Sequence, residues 1–383
     1  MNFRFVNIGP LKEADLELRP LTIIGGVNQV GKSFITKFLY GILSTKASPT
    51  EEQERADKFR RIFQQRDFRK LKNRYSGELG LVALEDRIMF LTALDTENKE
   101  ELLKKAVENE PENKTLLSVY EKFLKKQDID EAKDKPGGQI KKDMESSSVT
   151  NDFKKVSYIS TPAVLDAFRP IVTFRGDKGG EGLSDIYWDP LKDIIGSGEP
   201  LEEIKLRGVY DKLENITGGR IIYELTKGFR FLKGKEEFGI DSVAFGIKLF
   251  GMLQMLIQRN IIVPNGYLLL EEPEIHLHPS LTFKLVQIIK ELVDKGVYVI
   301  ITTHSPELIR YVEYMINTGK LNPAECSFLN LKFNEDKLTS SGKSQSAIES
   351  ADDILLSLTE GFYKVVLAEE MGDEDILNGI QGD

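Results

Sequence analysis

The sequence predicts an α/β fold of parallel strands alternating with helices, and three segments carry that prediction. In "RPLTIIGGVNQVGKSFITKFLYGIL" a β-branched run, Leu21 to Ile24, enters a glycine loop, after which Phe34 to Leu43 repeats apolar residues at helical spacing. In "GYLLLEEPEIHLHP" the run Tyr267 to Leu270 is apolar throughout, as suits a central parallel strand covered on both faces. In "KGVYVIITTHSPELIRYV" a β-branched strand, Val297 to Thr302, reaches Thr303, His304, Ser305 and Pro306 and then a helix.

Composition sets the frame. A chain of 383 residues that is 40% hydrophobic buries a substantial core in one or two domains. A formal charge of -9 argues against indiscriminate coating of nucleic acid or anionic membrane, so any such contact is local. Cys326 is the sole cysteine, which excludes an internal disulfide framework. The opening "MNFRFVNIGPLKEADLEL" lacks the basic-then-apolar layout of a signal peptide, and the expectation is a cytoplasmic protein. Apolar stretches such as "FGIKLFGMLQMLI" are broken by Gly or Lys before the ~18 to 20 residues a bilayer crossing requires, so no membrane span is expected.

The glycine loop has the full G-x-x-x-x-G-K-S spacing, from Gly26 to Ser33. Glycines let backbone N–H groups curl around phosphates at a helix N-terminus, Lys32 reaches the β and γ phosphates, and Ser33 ligates Mg²⁺. The candidate nucleotide contacts are Gly26, Asn28, Gln29, Val30, Gly31, Lys32, Ser33 and Phe34, with ATP and Mg²⁺ as the implied ligands. A strand carrying an acidic residue must then approach the metal. Ligands lie beyond the carboxyl ends of parallel strands, which puts Glu271 near Mg²⁺ and Glu272 beside the attacking water as general base. A solvated acidic turn capping the next helix would account for one glutamate, such as Glu274, but not for two after an apolar strand.

His304, at the end of the third segment, is placed to bond a γ-phosphate or the attacking water. The three histidines, His276, His278 and His304, all fall in the two later segments. His276 and His278 have no cysteine or further histidine beside them, so zinc is not expected, and they read as loop or interface residues.

Together "GVNQVGKS", "LLLEEPEIHLHP" and "VIITTHSPELI" resemble the phosphate loop, acidic strand and switch histidine of ABC-type ATPases of the SMC, RecF and OLD group, including the subset called AAA-family ATPases. "FRFVNIGPLKEADLELRPLTIIGG" resembles the N-terminal hairpin of that group, and "VSYISTPAVLD" its mid-chain strand with the Q-loop region. The resemblance implies a P-loop NTPase, an ABC-type head that dimerises around two ATP molecules. Each ATP is held between one subunit's phosphate loop and the other's signature motif. Here the signature region reads "GIDSVAFGIKLFGMLQMLIQRN", in which Ser242, Gly246 and Lys248 match and a helix from Ile247 to Gln258 is expected. Phe245 stands where the pattern has Ser or Thr, and Glu271 replaces the commoner aspartate. A missing hydroxyl donor implies slow hydrolysis of ATP to ADP and phosphate.

The expected organisation is a first ATPase part over 1–47, an inserted helical lobe over 48–150, the rest of the ATPase domain over 151–365 and an acidic tail over 366–383. The insertion is charge-rich, with helical patterns such as "LVALEDRIMFLTAL" and "TLLSVYEKFLKKQ", and too short for an SMC coiled-coil arm. "FRGDKGGEGLSD" reads as an exposed loop, and "GGRIIYELTKGFRFLKGKEEFGIDSV" as a β-meander leading to the signature helix. The basic stretch Arg60, Arg61, Arg66, Arg69, Lys70, Lys72 and Arg74 either grips a nucleic-acid backbone or forms a solvated face or a dock for an acidic partner, which the overall charge favours.

Two functions remain open at this stage: an ATP-driven dimeric switch for a separate effector, as in bacterial anti-phage or toxin-type systems, and a DNA-repair ATPase of the RecF/SMC kind. An OLD-like nuclease is not expected, because "VVLAEEMGDEDIL" resembles a TOPRIM strand only faintly and leaves no room for further metal ligands.

Overall fold

In the computed structural model, which describes residues 1–45, 52–65, 71, 81–84, 87–91, 155–177, 183–196, 203–345 and 347–371, the chain opens with a β-hairpin. β1 (Asn2–Ile8) and β2 (Leu11–Glu17) pair antiparallel, and β3 (Leu21–Gly25) runs into the glycine loop and α1 (Lys32–Leu43). After α2 (Glu52–Phe63) come β4 (Leu81–Leu84), β5 (Arg87–Leu91) and β6 (Val156–Ile159). Three helices follow: α3 (Phe168–Asp177), α4 (Asp185–Gly196) and α5 (Arg207–Thr217). β7 (Arg220–Glu224), β8 (Gly228–Lys233) and β9 (Glu236–Gly239) form a separate antiparallel sheet, the expected meander, ahead of α6 (Phe245–Gln258). The chain then alternates β10 (Tyr267–Glu271), α7 (Pro279–Asp294), β11 (Tyr298–Thr303) and α8 (Pro306–Asn317). It ends with β12 (Cys326–Asn330), β13 (Lys332–Phe333), β14 (Ser340–Gln345) and α9 (Ala347–Met371).

Among the described residues the main sheet runs β5-β4-β1-β2-β14-β12-β3-β11-β10-β6, with β13 on β14. Its half from β12 to β6 is parallel throughout. The register sets Thr303 opposite Gly25, Thr302 opposite both Ile24 and Glu271, and Leu270 opposite Ile159. One edge of the sheet therefore collects the start of the glycine loop, the two glutamates, the segment after β6 and His304, as expected where ligands meet the carboxyl ends of parallel strands.

The side-chain alternation of a strand explains how those strands stay buried on both faces. Leu268, Leu270, Val299 and Ile301 enter the core under α6, α7 and α8, whereas Leu269 and Ile300 enter the core under α1 with Ile24. α6 is buried along most of its length, consistent with an apolar run that has no polar face. Among the described residues no helix is long and apolar enough to cross a membrane.

Three expectations are corrected. Residues 81–91, read as part of a helical pattern, are the strands β4 and β5. The reason is tertiary: β1 offers an open edge, and Val82 and Leu84 pair opposite Phe5 and Phe3, which decides between two periods that a short apolar run fits equally. The helical pattern at 115–127 lies outside the described residues. "FRGDKGGEGLSD", read as an exposed loop, begins inside α3 and ends on Asp185, the first residue of α4; residues 178–182 lie outside the described ones. α9 runs through Met371, past residue 365 where the acidic tail was expected to begin, and residues 372–383 lie outside the described ones.

Candidate nucleotide site

The loop between β3 and α1 is shaped by backbone that ordinary residues avoid. Gly26 has φ 141°, Gln29 φ 69° and Gly31 φ 99°, and a Cβ on Gly26 would stand 2.4 Å from Leu331 O. Val27, Asn28 and Gln29 are exposed, while Val30 is buried and its carbonyl accepts a hydrogen bond from Ser340 Oγ at 2.5 Å. The loop is thus pinned at its base and open at its rim. Gly31 caps α1, so backbone amides at that helix N-terminus face the rim, as an anion site needs. Phe34 N–H donates to Gly31 O at 3.0 Å, and the Phe34 ring packs on Phe38 and Phe63.

Lys32 is only 5% exposed. Its ammonium donates to Gly26 O and Val27 O, each at 2.9 Å, and lies 3.4 Å from Glu272 Oε1. Burial lowers its pKa, and the Glu272 charge opposes that shift. Ser33 is exposed at the first turn of α1.

The two glutamates at the end of β10, Glu271 within it and Glu272 just beyond, diverge, as expected from a strand end. Glu271 turns to α1, where Thr36 Oγ1 approaches Oε1 at 3.2 Å. Glu272 has φ 41°, a left-handed conformation uncommon for glutamate, held by its N–H bonding to Thr302 O at 2.9 Å. That twist sends its carboxylate to Lys32 and to His304, whose Nδ1 lies 3.1 Å from Glu272 Oε1 but out of hydrogen-bond alignment.

Glu274 is not the solvated cap the sequence allowed. It is buried, Thr303 Oγ1 donates to its Oε1 at 2.5 Å, and burial pushes its carboxyl pKa up. Thr303 Oγ1 in turn accepts from Ser305 N at 3.0 Å, which ties the turn after β10 to the segment carrying His304. The helix cap belongs to His278, whose Nδ1 accepts from Ser280 N. His276, at φ 64°, sets its ring against Phe245. Among the described residues no group of His, Cys, Asp and Glu forms a metal cluster.

The signature residues fall at three different places. Ser242 Oγ donates to Gly239 O at 2.8 Å on an exposed turn. Gly246 is buried in the first turn of α6, under Leu277. Lys248 is buried, with Nζ 2.7 Å and 2.8 Å from the two oxygens of Asp166. Phe245 and His276 border a cavity of about 400 Å³ that is also lined by Ser33, Ser160, Glu271 and Glu272. That cavity brings a hydroxyl and a carboxylate into one space, the hard oxygen donors that Mg²⁺ takes, so the residues fit a metal held with phosphates. A second cavity, about 510 Å³, opens at the amino ends of β3 and β11, away from these groups.

Sequence reading missed Thr36, Tyr158 and Ser160 at this site. Tyr158 is 1% exposed, Thr36 Oγ1 lies 3.2 Å from its hydroxyl, and the Glu271 charge adds to burial in raising its pKa well above the usual phenol value. Of the basic stretch, Arg60 pairs with Asp57 and Arg61 with Asp185; Arg66 to Lys70, Lys72 and Arg74 lie outside the described residues.

Residues 21–310 match the protein-family model described as "AAA domain, putative AbiEii toxin, Type IV TA system". UvrABC system protein A of Aquifex aeolicus (strain VF5) is 27% identical over 139 residues, 34% of this chain but 15% of that protein, so the chain spans a small part of that relative's length. Among solved structures, an Smc head bound to the C-winged helix domain of ScpA is similar at 13% identity and a TM-score of 0.45, covering 92% of this chain and 98% of that one. An Smc head with coiled coil and joint from Pyrococcus yayanosii gives 13% and 0.43 over the same shares. A dimeric bacterial ABC transporter cassette gives 11% and 0.39, covering 90% and 98%. The family model takes in the glycine loop, the paired glutamates and His304 and covers more than half of the sequence: the chain belongs to this AAA-domain family and is a P-loop ATPase of that type.

Proposed function

We propose that the chain binds ATP with Mg²⁺ at the loop of Gly26 to Ser33, hydrolyses it slowly, and uses the bound state as a dimeric switch for a separate effector protein. The observation that carries the catalytic part is the convergence of Lys32, Glu272 and His304, three groups from three segments, within 3.4 Å and 3.1 Å of one carboxylate oxygen. In this reading Lys32 and the loop amides hold the phosphates. Ser33 and Glu271 hold the metal, which when bound neutralises charge on the β and γ oxygens. Glu272 takes the proton of the attacking water, and His304 steadies that water or the γ-phosphate from the other side.

Dimerisation through an ATP sandwich rests on the resemblance of the signature region, where Phe245 offers no donor. The expectation of slow turnover follows, and slow turnover suits a timer better than a motor. The family description, which names a toxin of a toxin–antitoxin system, supports a two-component arrangement over direct work on DNA. The division into 1–47, 48–150, 151–365 and a tail, adjusted for α9, remains part of this reading, as does a cytoplasmic location. Affinity purification with Glu272→Gln and ATP tests the role: a stoichiometric protein partner without DNA supports the switch. Stoichiometric DNA that is lost at high salt contradicts it and favours the repair ATPase.

A further inference from the structure

We propose that Tyr158 is a positioning residue of this site: it bonds Thr36, whose hydroxyl donates to Glu271, and this two-hydroxyl clamp fixes the Glu271 carboxylate for the metal. The proposal rests on the nucleotide reading above.

A glutamate has three rotatable bonds, and Mg²⁺ demands near-ideal octahedral geometry, so a carboxylate that serves it gains from being held before the metal arrives. Glu271 is the last residue of β10, with its backbone fixed by parallel pairing to Thr302, but its side chain reaches past the sheet edge. There a chain of two hydroxyls meets it. Thr36 Oγ1 donates to Glu271 Oε1 at 3.2 Å and stands 3.2 Å from Tyr158 Oη.

The proton count decides the arrangement. Each hydroxyl has one proton and a carboxylate oxygen only accepts, so the Thr36 O–H donates to Glu271 and the Tyr158 O–H donates to the Thr36 oxygen. Thr36 is fixed in turn because it sits on α1, one turn beyond Lys32, with its Oγ1 3.2 Å from Ser33 O.

Tyr158 is rigid for reasons that do not involve the nucleotide. Its backbone lies in β6, opposite Leu269, and its ring packs against Tyr40 with centroids 5.1 Å apart. Tyr40 is itself anchored, donating to Asp189 Oδ2 at 2.5 Å, and Lys58 of α2 pairs with the same Asp189. A fully buried hydroxyl is costly unless it is bonded, so its direction is set by the partner it has, and that partner is Thr36.

The test is Tyr158→Phe, which keeps the ring and removes one oxygen. A fluorescent methylanthraniloyl-ATP is titrated in EDTA, then Mg²⁺ is titrated into the complex. The expected result is unchanged affinity without metal and a half-saturating Mg²⁺ concentration raised about tenfold, the usual scale for losing a partner that orients a metal ligand. In a Glu271→Asp background, whose shorter carboxylate withdraws from the clamp, Tyr158→Phe should add nothing. An unchanged Mg²⁺ requirement overturns the clamp, and so does an equal shift in both backgrounds, which marks a general structural role. If Tyr158→Phe does not fold, Thr36→Val takes the same measurements with the same expectations. Failure of the unaltered protein to bind the nucleotide in EDTA overturns the nucleotide reading itself, and the clamp with it.

Discussion

Lys32 and Glu272 stand 3.4 Å apart, and the same ammonium bonds the carbonyls of Gly26 and Val27, so its three protons meet three acceptors that all belong to the site. A phosphate entering the loop competes with those acceptors for one cation. In the proposed reading Glu272 is thereby linked to the occupancy of the loop: a Lys32 that turns to phosphate would release the carboxylate toward His304 and the water.

Lys32→Met should therefore abolish nucleotide binding while leaving the fold intact. A buried ammonium, whose pKa is already lowered by burial, is exchanged for an apolar chain of similar length. Fluorescent ATP binding and a thermal melt check it together. Retained affinity would remove Lys32 from the site.

Phe245 opens α6 with its ring edge against His276, 4.9 Å between centroids. Phe245→Ser supplies the hydroxyl that the resemblance leads one to expect, and the account predicts faster hydrolysis in a folded protein, with a shorter dimer lifetime. The gain is bounded by about 100-fold, the usual value of one such donor. An unchanged or lower rate in a folded variant means that Phe245 serves packing against His276 alone.

Lys248 matches the signature pattern by sequence, yet its ammonium is committed to both oxygens of Asp166. The two partners are unequally buried, with side chains 7% and 36% exposed. Removing the exposed partner strands a buried charge, so Asp166→Ala should cost about 3 kcal/mol and Lys248→Met distinctly less. Urea unfolding compares them. Equal costs, or a loss of nucleotide affinity in Lys248→Met, would contradict a structural role for the pair.

What the sequence displayed and what it hid divide along contact range. The loop, β10 with its two glutamates and His304 are each local patterns, and parallel pairing brings them together in the expected way. Tyr158 reads as one more apolar strand residue in "VSYIS", because its hydroxyl finds Thr36, and through it Glu271, only once β6 pairs with β10 beside α1. The pairing of Lys248 with Asp166 is hidden for the same reason. The strands β4 and β5 were invisible because "LVALEDRIMFLTAL" fits either period and the open edge of β1 is not written in that segment.

Asp193 offers a test by pH. Burial, then the neighbouring Asp189 charge, raises its carboxyl pKa to about 6. A carboxyl raised in the folded state binds its proton more tightly folded than unfolded. Its contribution thus favours folding below about pH 4 and is lost as pH rises through about 6. Asp193→Asn removes that dependence. The variant should gain stability over the natural chain at about pH 7.5 relative to about pH 4.5, on the order of 1–2 kcal/mol, read from urea midpoints. Equal differences at both pH values would contradict the raised pKa.

The central claim is that Glu272, held between Lys32 and His304, is the base that activates water for ATP hydrolysis. Its most direct test is single-turnover hydrolysis of radiolabelled ATP by the natural chain and by Glu272→Gln, with bound nucleotide recovered and identified. The account predicts that Glu272→Gln binds ATP at least as tightly, since Lys32 loses a competing charge, that its hydrolysis rate falls on the order of 100-fold or more, and that the recovered nucleotide is ATP. Hydrolysis by Glu272→Gln at the rate of the natural chain, with ADP recovered from both, would contradict it.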